Sequence, residues 1–243
     1  MSNIAIIGYG KVGQSLESFL NKHHNCIIYD AFIESYAIRD RIQFVDVAII
    51  CINTPPRYLS LMPGNSDHSC DISDIDDIMA WINSPLTIIK STVAPGSCLH
   101  LKTKHGKRIV YSPEFCDLPD KPFFIFGGDA EDTKQAVNLF NICGGPDKKY
   151  IQTDLKSAEM VKYLHSSYFA NKLAFCKQMS IICEKIGIDY NVVRELWLND
   201  ERVSSCHTIP QTIDPTVKKD LAAFEKYSDS ELIKEINHVI SQK

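Results

Sequence analysis

Long apolar runs are absent from this 243-residue sequence. The longest, such as residues 47–52, reach about a third of the ~20 residues that a membrane-spanning helix needs. The first residues also lack the basic segment, the apolar segment and the small-residue cleavage site of a secretory signal. We therefore expect a cytoplasmic protein that does not contact membranes.

A dense positive charge and metal-ligand spacings are also absent. The 26 basic and 30 acidic residues are mixed along the chain, and the formal net charge of -4 argues against binding to nucleic acid. The nine cysteines form no Cys-x-x-Cys pair and the eight histidines form no His-x-x-x-His pair. We therefore expect free thiols, no metal site, and surface histidines, among them His23 and His24.

A glycine-rich segment lies between a predicted strand and a predicted helix. Residues 4–7 form a short apolar run, typical of a strand buried on both faces of a parallel sheet. Apolar residues then recur at helical spacing up to Leu20, and a second apolar run ends at Asp30. A strand, a helix and a strand in this order indicate a βαβ unit.

The glycine-rich segment follows the pattern G-x-G-x-x-G, with the residues Gly8, Tyr9, Gly10, Lys11, Val12 and Gly13. In a βαβ unit these glycines make the turn, let the backbone approach a pyrophosphate, and allow the helix to pack on the strand. Asp30 can accept hydrogen bonds from both ribose hydroxyls and would repel a 2′-phosphate. The pattern predicts a dinucleotide site that prefers NAD to NADP; an ordinary glycine turn followed by a strand-end acid is the alternative.

The remaining apolar runs predict a doubly wound, Rossmann-type α/β fold followed by a helical domain. No glycine or proline occurs from Leu155 to Ile186, which predicts one long helix over residues 155–185. We expect a second helix over residues 190–198 and a C-terminal helix over residues 221–240. The predicted domains are an NAD-binding domain, residues 1–153, and a helical domain, residues 154–243, with the long helix as the axis of a homodimer.

Polar side chains follow three more predicted strands. The segments are Asn53-Thr54-Pro55-Pro56, Lys90-Ser91-Thr92-Val93-Ala94-Pro95-Gly96 and Tyr111-Ser112-Pro113-Glu114-Phe115. Simple proline turns are one interpretation. However, a turn does not need the three polar side chains that begin at Lys90. Because ligands of such folds bind beyond the carboxyl ends of the parallel strands, we expect these segments to meet cofactor and substrate.

Five segments in this order resemble the signature blocks of the UDP-glucose/GDP-mannose dehydrogenase family. They are residues 8–13, 51–56, 90–96, 112–115 and the segment Ala158-Glu159-Met160-Val161-Lys162. The resemblance covers the chain up to about residue 190. It implies an NAD-dependent enzyme of polysaccharide biosynthesis that oxidises the C6 alcohol of a nucleotide sugar, such as UDP-glucose, to a carboxylate in two hydride transfers.

The resemblance also implies roles for individual residues. Thr92 and Glu114 match residues that position catalytic water and substrate, and Asp220 matches the family aspartate. Lys162 matches a lysine that stabilises the developing oxyanion, which agrees with the electrostatic effect of a cation beside an alkoxide. Without the family, Lys162 is better interpreted as a solvated surface lysine. The candidates for cofactor binding beyond the glycine segment and Asp30 are Asn53, Thr54, Pro55, Ser91 and Thr92.

The sequence departs from the family pattern at two positions. Ser166 stands where the family has an asparagine one helical turn after the lysine, and its hydroxyl can donate a hydrogen bond but reaches less far. Thr216 stands at the position of the catalytic cysteine, where a hydroxyl that is not appreciably ionised is a poor substitute. Cys206, earlier in the same loop, is the candidate replacement, although the sequence identifies no activating neighbour. The second oxidation is therefore in question.

Three functions stay open. The first is a shortened nucleotide-sugar dehydrogenase without the family's C-terminal nucleotide-binding domain, in which a partner chain would hold the nucleotide half of the substrate or this half would bind weakly. The second is a catalytically degenerate scaffold or regulatory protein that binds NAD or a nucleotide sugar; four retained polar residues, Thr92, Glu114, Lys162 and Asp220, argue against it. The third is a β-hydroxyacid dehydrogenase with a single hydride transfer, against which the segment 112–115 argues.

Overall fold

The computed structural model of the protein describes residues 1–55, 70–115, 122–210 and 213–242. In chain order, its elements are β1 (Asn3–Ile7), α1 (Lys11–Leu20), β2 (Asn25–Tyr29), two short 3-10 helices (Glu34–Tyr36 and Arg39–Ile42), β3 (Val47–Ile50), α2 (Ser73–Trp81), β4 (Leu86–Ile89), α3 (Ser97–His105), β5 (Ile109–Tyr111), β6 (Phe123–Gly127), α4 (Ala130–Gly144), β7 (Lys149–Thr153), α5 (Leu155–Lys185), α6 (Tyr190–Trp197), α7 (Pro215–Ser228) and α8 (Glu231–Ser241).

A seven-stranded sheet has the strand order β2-β1-β3-β4-β5-β6-β7. The first five of these strands are parallel, and Ile7, Ile50, Ile89 and Tyr111 are paired in register at their last positions. Their carboxyl ends therefore meet at one edge of the sheet, which we call the exit edge. The predicted doubly wound α/β fold is confirmed.

The last two strands run in the opposite direction. β6 pairs with β5 in antiparallel fashion, and β7 is parallel to β6. The apolar run over residues 123–126 forms β6. An apolar run carries no information on strand direction, so the reversal was not predictable from it.

Each central strand alternates its side chains between two apolar cores. Ile7 and Ile50 lie in one core, which residues of α2 and α3 complete. Ile6 and Ile49 lie in the other core, which residues of α1 and α4 complete. Burial on both faces explains why these strands are uninterrupted apolar runs rather than alternating ones.

The described residues pack as two compact units. The first contains residues 1–55, 70–115 and 122–162, and the second contains residues 163–210 and 213–242. The division falls inside α5, whereas the predicted domain boundary lies before this helix. The functional assignment of residues 1–153 and 154–243 to two domains remains a prediction.

The helices of the second unit agree only partly with the sequence prediction. The long helix α5 and the short helix α6 are confirmed. The single helix predicted over residues 221–240 is wrong, because two helices, α7 and α8, occupy this region. Asp229 ends α7 with a left-handed φ of 48°, which stops the helix without a glycine.

The prediction that His24 is a surface residue is also wrong. Its side chain is only 2% exposed. Its Nδ1 accepts a hydrogen bond from the Ser2 backbone N–H at 3.3 Å, and its Nε2 donates to the Leu139 carbonyl at 3.2 Å. Both ring nitrogens thus bond in a neutral tautomer, and burial lowers the His24 pKa. No helix within the described ranges has the length and apolarity that crossing a membrane requires.

Candidate functional site

The glycine segment turns from β1 into α1 at the exit edge. Gly8 has a φ of 97°, and a Cβ there would lie 2.9 Å from the Cys51 carbonyl oxygen. A Cβ on Gly13 would lie 2.1 Å from the Gly8 carbonyl oxygen, so only glycine allows α1 to pack this closely. At Gly10, by contrast, no atom lies within 4 Å of the Cβ position.

Gly10 is the N-cap of α1, and no side chain caps this helix end. The backbone N–H groups in the first turn of a helix attract anions, and a glycine with open space beside it lets a phosphate approach them. Lys11 and Val12 begin the helix, where Lys11 is exposed and Val12 packs against the core under α1. The segment therefore fits a dinucleotide pyrophosphate.

Asp30 is fixed by two backbone N–H groups, one in the glycine segment and one in its own turn. Its Oδ2 accepts a hydrogen bond from the Tyr9 N–H at 2.8 Å, and its Oδ1 accepts one from the Phe32 N–H at 2.9 Å. A carboxylate oxygen can accept more than one hydrogen bond, so this arrangement fits ribose hydroxyls. The Tyr9 hydroxyl donates to Glu17, and this hydrogen bond raises the Tyr9 pKa to about 12.

The segments that follow β3 and β4 are joined by two side-chain hydrogen bonds. Thr54 donates to the Thr92 carbonyl at 2.6 Å, and Ser91 donates to the Ile52 carbonyl at 2.8 Å. A hydroxyl has a single proton to donate, so both groups act first on the backbone. Asn53 is exposed and Pro55 is half-buried, whereas Pro56, the end of this predicted block, lies outside the described residues.

Lys90 brings charge to the exit edge. Its side chain is completely buried, and its Nζ donates to the carbonyl and to the hydroxyl of Ser112, both at 3.2 Å. The same Nζ lies 3.2 Å from Oε2 of Glu114. The sequence pattern predicted that the polar segment beginning at Lys90 meets cofactor and substrate, but it predicted no role for Lys90 itself.

Lys162 approaches the same segment from α5. Its Nζ donates to the Glu114 carbonyl at 3.0 Å and lies 5.9 Å from the centre of the Phe115 ring. Lys162 is half-buried, so it is not the solvated surface lysine of the alternative interpretation. Glu114 therefore has one lysine beside its carboxylate and another on its carbonyl oxygen.

Glu159 anchors this part of α5. Its completely buried carboxylate accepts hydrogen bonds from the Gly96 N–H at 2.5 Å and the Cys98 N–H at 2.8 Å, at the start of α3. Burial raises the Glu159 pKa, and the two N–H donors oppose this effect. Glu159 belongs to the last of the five sequence segments, but the sequence predicted no role for it. Lys162 lies one turn further along α5, so Glu159 also fixes the backbone that carries it.

In the second unit, Ser166 and Asp220 form a buried pair. Ser166 donates to Oδ2 of Asp220 at 3.0 Å, and Lys219 Nζ lies 3.8 Å from Oδ1. A serine hydroxyl has only one proton to donate. Because the Ser166 proton is donated to Asp220, it is not available for the substrate oxyanion that the sequence pattern predicted as its acceptor. Thr216 lies in the first turn of α7, where its N–H donates to Asp214 at 2.7 Å.

Cys206 contacts an imidazole that can activate its thiol, although the sequence identified no activating neighbour. Its exposed Sγ lies 2.7 Å from Nδ1 of His207, whose backbone is left-handed with a φ of 60°. The His207 ring packs on Phe169 at 4.4 Å between ring centres, and burial lowers the His207 pKa. The contact between the thiol and the imidazole of these adjacent residues thus accompanies a left-handed backbone at His207.

No cluster of three metal-ligating side chains occurs in the part of the chain that the structure describes. The polar groups described at the exit edge include hydroxyls, the carboxylates of Asp30 and Glu114, and two lysines. Such a set can orient a hydroxyl and stabilise negative charge that develops on its oxygen.

Comparisons with known proteins find similar dehydrogenases. Residues 156–238 match the sequence model described as the UDP-glucose/GDP-mannose dehydrogenase family, central domain. A curated relative, the UDP-glucose 6-dehydrogenase of Rickettsia conorii, is 27% identical, and the match covers 76% of this chain and 52% of the relative. The chain thus spans about half the length of the curated relatives it matches.

Solved structures share the fold of nearly the whole chain. A UDP-glucose dehydrogenase from Pyrobaculum islandicum has a TM-score of 0.82 and 19% identity, covering 99% of this chain and 68% of that one. The 3-hydroxyisobutyrate dehydrogenase of Mycobacterium tuberculosis has a TM-score of 0.75 and 16% identity, covering 99% and 93%. The resemblance to the UDP-glucose/GDP-mannose dehydrogenase family is thus confirmed, since residues 156–238 match its central domain and nearly the whole chain shares the fold of such dehydrogenases.

Proposed function

We propose that the chain acts as an NAD-dependent oxidoreductase that removes a hydride from the C6 alcohol of a nucleotide sugar of the UDP-glucose type. The observation that carries the proposal is the arrangement of Glu114 and Lys162 at the same exit edge as the glycine segment. A nicotinamide cofactor supplies the hydride acceptor when it is bound. Residues 1–153 form its binding domain in this proposal.

Each group at the exit edge has a chemical task in this reaction. The Lys162 ammonium stabilises the charge that grows on the alcohol oxygen as its proton passes to a bound water molecule. Glu114 and Thr92 orient the sugar and a water molecule. Gly10 and the first turn of α1 bind the pyrophosphate, and Asp30 binds the adenosine ribose and repels a 2′-phosphate. The nicotinamide half of the cofactor would contact the segments that follow β3 and β4, through Asn53, Thr54, Pro55 and Ser91.

The decisive experiment is to incubate the purified chain with NAD and UDP-sugars, GDP-mannose or 3-hydroxy acids, and to measure NADH. Lys162→Ala should abolish turnover while NAD affinity stays the same. Lys134→Ala, which removes an exposed lysine from α4, is the matched control. Turnover by the Lys162→Ala variant would refute the role of this lysine.

The same panel separates the alternative functions. Oxidation of a 3-hydroxy acid with one NADH per molecule would favour a β-hydroxyacid dehydrogenase, for which the threonine at position 216 is no obstacle. Binding of NAD without turnover of any compound would favour the degenerate scaffold. Either result would refute the proposed substrate class.

For the second oxidation we propose Cys206 as the thiol that adds to the sugar aldehyde. Its contact with His207 provides a base for the thiol proton. The parent chain should then yield two NADH per sugar, whereas Cys206→Ser should yield one and release the aldehyde. Two NADH from the Cys206→Ser variant would exclude this thiol as the nucleophile.

We also propose that the helical domain, residues 154–243, forms a homodimer through its outer apolar face. Large exposed side chains line the long helix and its neighbour, at Leu164, Tyr168, Phe175, Ile182, Val192 and Leu196. The rings of Phe175 and Trp197 lie 6.0 Å apart, so the two helices present one continuous apolar surface.

Light scattering after size exclusion tests the homodimer. Leu164→Glu should convert a dimer to a monomer because it places a charge in the apolar face. Leu232→Glu is the control: Leu232 on α8 is 64% exposed, against 62% for Leu164, but lies outside this face. A monomeric parent chain, or a dimeric Leu164→Glu variant, would refute this assignment.

A further inference from the structure

Lys90 is a buried charge that the proposed function does not use. Its side chain is completely inaccessible to solvent, and the Phe140 ring lies 5.6 Å from its ammonium on the core side. A buried ion pair seldom stabilises a protein more than a well-packed apolar pair of similar size. Stability alone therefore gives no reason for a lysine at this position.

The side-chain hydrogen bonds and the ion pair of Lys90 lie on the segment that follows β5. Its ammonium bonds both oxygens of Ser112 and lies beside the Glu114 carboxylate. The backbone already joins the two strand ends here, because the Ser112 N–H donates to the Ile89 carbonyl at 2.9 Å. Lys90 adds a charged link from the end of β4 to the carboxylate itself.

The charged and titratable groups around Glu114 come from several elements. Lys90 follows β4, Lys162 comes from α5, and the Phe115 N–H donates to Glu114 Oε1 at 3.2 Å. Cys51 follows β3 and is a further titratable group near this pair. Burial is the main cause that raises the Cys51 pKa; the charge of Glu114 also raises it, and the charge of Lys90 lowers it. The carboxylate thus meets its counter-ion on the buried side, where water cannot screen it.

We propose that Lys90 is a positioning residue that keeps Glu114 ionised and holds its carboxylate at the exit edge, so that Glu114 accepts a hydrogen bond from the substrate and does not donate one. An adjacent cation favours the ionised form of a carboxylate, whereas burial without a cation favours the protonated form. The inference rests on the proposed function, because Glu114 matters for turnover only if the chain is a dehydrogenase.

The test compares Lys90→Met with Lys90→Arg. Lys90→Met keeps the length of the side chain and removes its charge, so kcat should fall at least about tenfold and the acidic limb of the kcat/KM profile should rise by about one pH unit or more. The KM for NAD should stay unchanged, because Lys90 does not touch the glycine segment. Lys90→Arg keeps the charge and should return the acidic limb towards its original pH.

Lys107→Met is the control for loss of a structural lysine. Lys107 donates to the carbonyls of Met79 and Ile82, near the end of α2 and away from the exit edge. The Lys107→Met substitution should lower the melting temperature and leave the acidic limb of the kcat/KM profile at its original pH. If Lys90→Met fails to fold, Lys90→Gln, which keeps hydrogen-bond donors without the charge, carries the same expectation. An acidic limb that stays in place in the uncharged variant would overturn the proposal.

A measurement without turnover distinguishes failure of the inference from failure of the proposed function. Glu114→Gln should lower the melting temperature of the parent chain, since it leaves the buried ammonium of Lys90 unpaired. In the Lys90→Met background the same substitution should lower it much less or not at all. Equal losses in both backgrounds would show that Lys90 does not act on Glu114, whatever reaction the chain catalyses.

Discussion

Two glycines in the same segment have opposite surroundings, and this difference predicts opposite effects of the same substitution. Gly13→Ala would place a methyl group 2.1 Å from the Gly8 carbonyl oxygen, so α1 must move away from the turn. Gly10→Ala would place a methyl group where no atom lies within 4 Å, at a backbone with an ordinary φ of -75°. The first substitution perturbs the fold, and the second only the space for a ligand.

The magnitudes follow from these distances. Overpacking of this kind costs about 1–3 kcal/mol, and the better helix propensity of alanine offsets at most about 1 kcal/mol of it. For a chain of this size, each kcal/mol lowers the melting temperature by about 2–4 °C, so Gly13→Ala should lower it by several degrees. Gly10→Ala should change stability by less than about 0.5 kcal/mol.

The effect on NAD affinity should not follow the effect on stability. A methyl group at Gly10 keeps the pyrophosphate from the backbone and removes at least one charge-assisted hydrogen bond of about 1.5–3 kcal/mol, a loss of roughly tenfold to a hundredfold. Calorimetric titration with NAD and thermal melting of both variants measure the two effects. If Gly10→Ala binds NAD as the parent does, this segment is not the pyrophosphate site.

Three further predictions concern single side chains. Asp30→Asn should weaken NAD about tenfold and improve NADP relative to NAD in calorimetric titration, since it removes the charge that repels a 2′-phosphate; an unchanged ratio would contradict this. His24→Gln should remove a pH dependence of stability. The His24 pKa is lowered in the folded chain, so as the pH falls below about 6.5 the unfolded chain takes up a proton before the folded chain does. The melting temperature of the parent should therefore exceed that of the variant by less at pH values below about 6.5. An advantage that is constant from pH 7.5 to 5 would refute it. Ser166→Ala should destabilise the chain by about 1–3 kcal/mol in denaturant unfolding, because buried Asp220 loses a donor; no change would show that the pair is not structural.

The sequence predicted those features that local patterns determine. The apolar runs of β1 and β3 are uninterrupted because both faces of the sheet are buried, and that burial made the strands recognisable. The glycine segment was recognisable because backbone geometry allows no other residue at Gly8 and Gly13. The start of α3 after Gly96 was not predicted, since its N-terminal partner is Glu159, distant in sequence.

Features that depend on distant contacts were not predictable. Nothing local marks His24 as buried, because its acceptor is the Leu139 carbonyl on another helix. Nor does the sequence around Asp229 contain the glycine that usually ends a helix. The partner of Cys206 was missed although it is the next residue, because the sequence does not indicate the left-handed backbone of His207 that accompanies this contact.

The hydrogen bonds separate the residues of the signature segments into two groups, those that bond only the protein and those that can also bond a substrate. The hydroxyls of Thr54, Ser91 and Ser166 each donate to a group of the protein, and a hydroxyl has no second proton for a ligand. A lysine ammonium has three donors, and a carboxylate can accept several hydrogen bonds, so Lys162 and Glu114 can bond the protein and a substrate together. We therefore expect hydroxyl-to-alanine variants to lower stability first, and variants of the charged pair to lower kcat first. A Ser91→Ala variant with the parent's melting temperature and a reduced kcat would contradict this division.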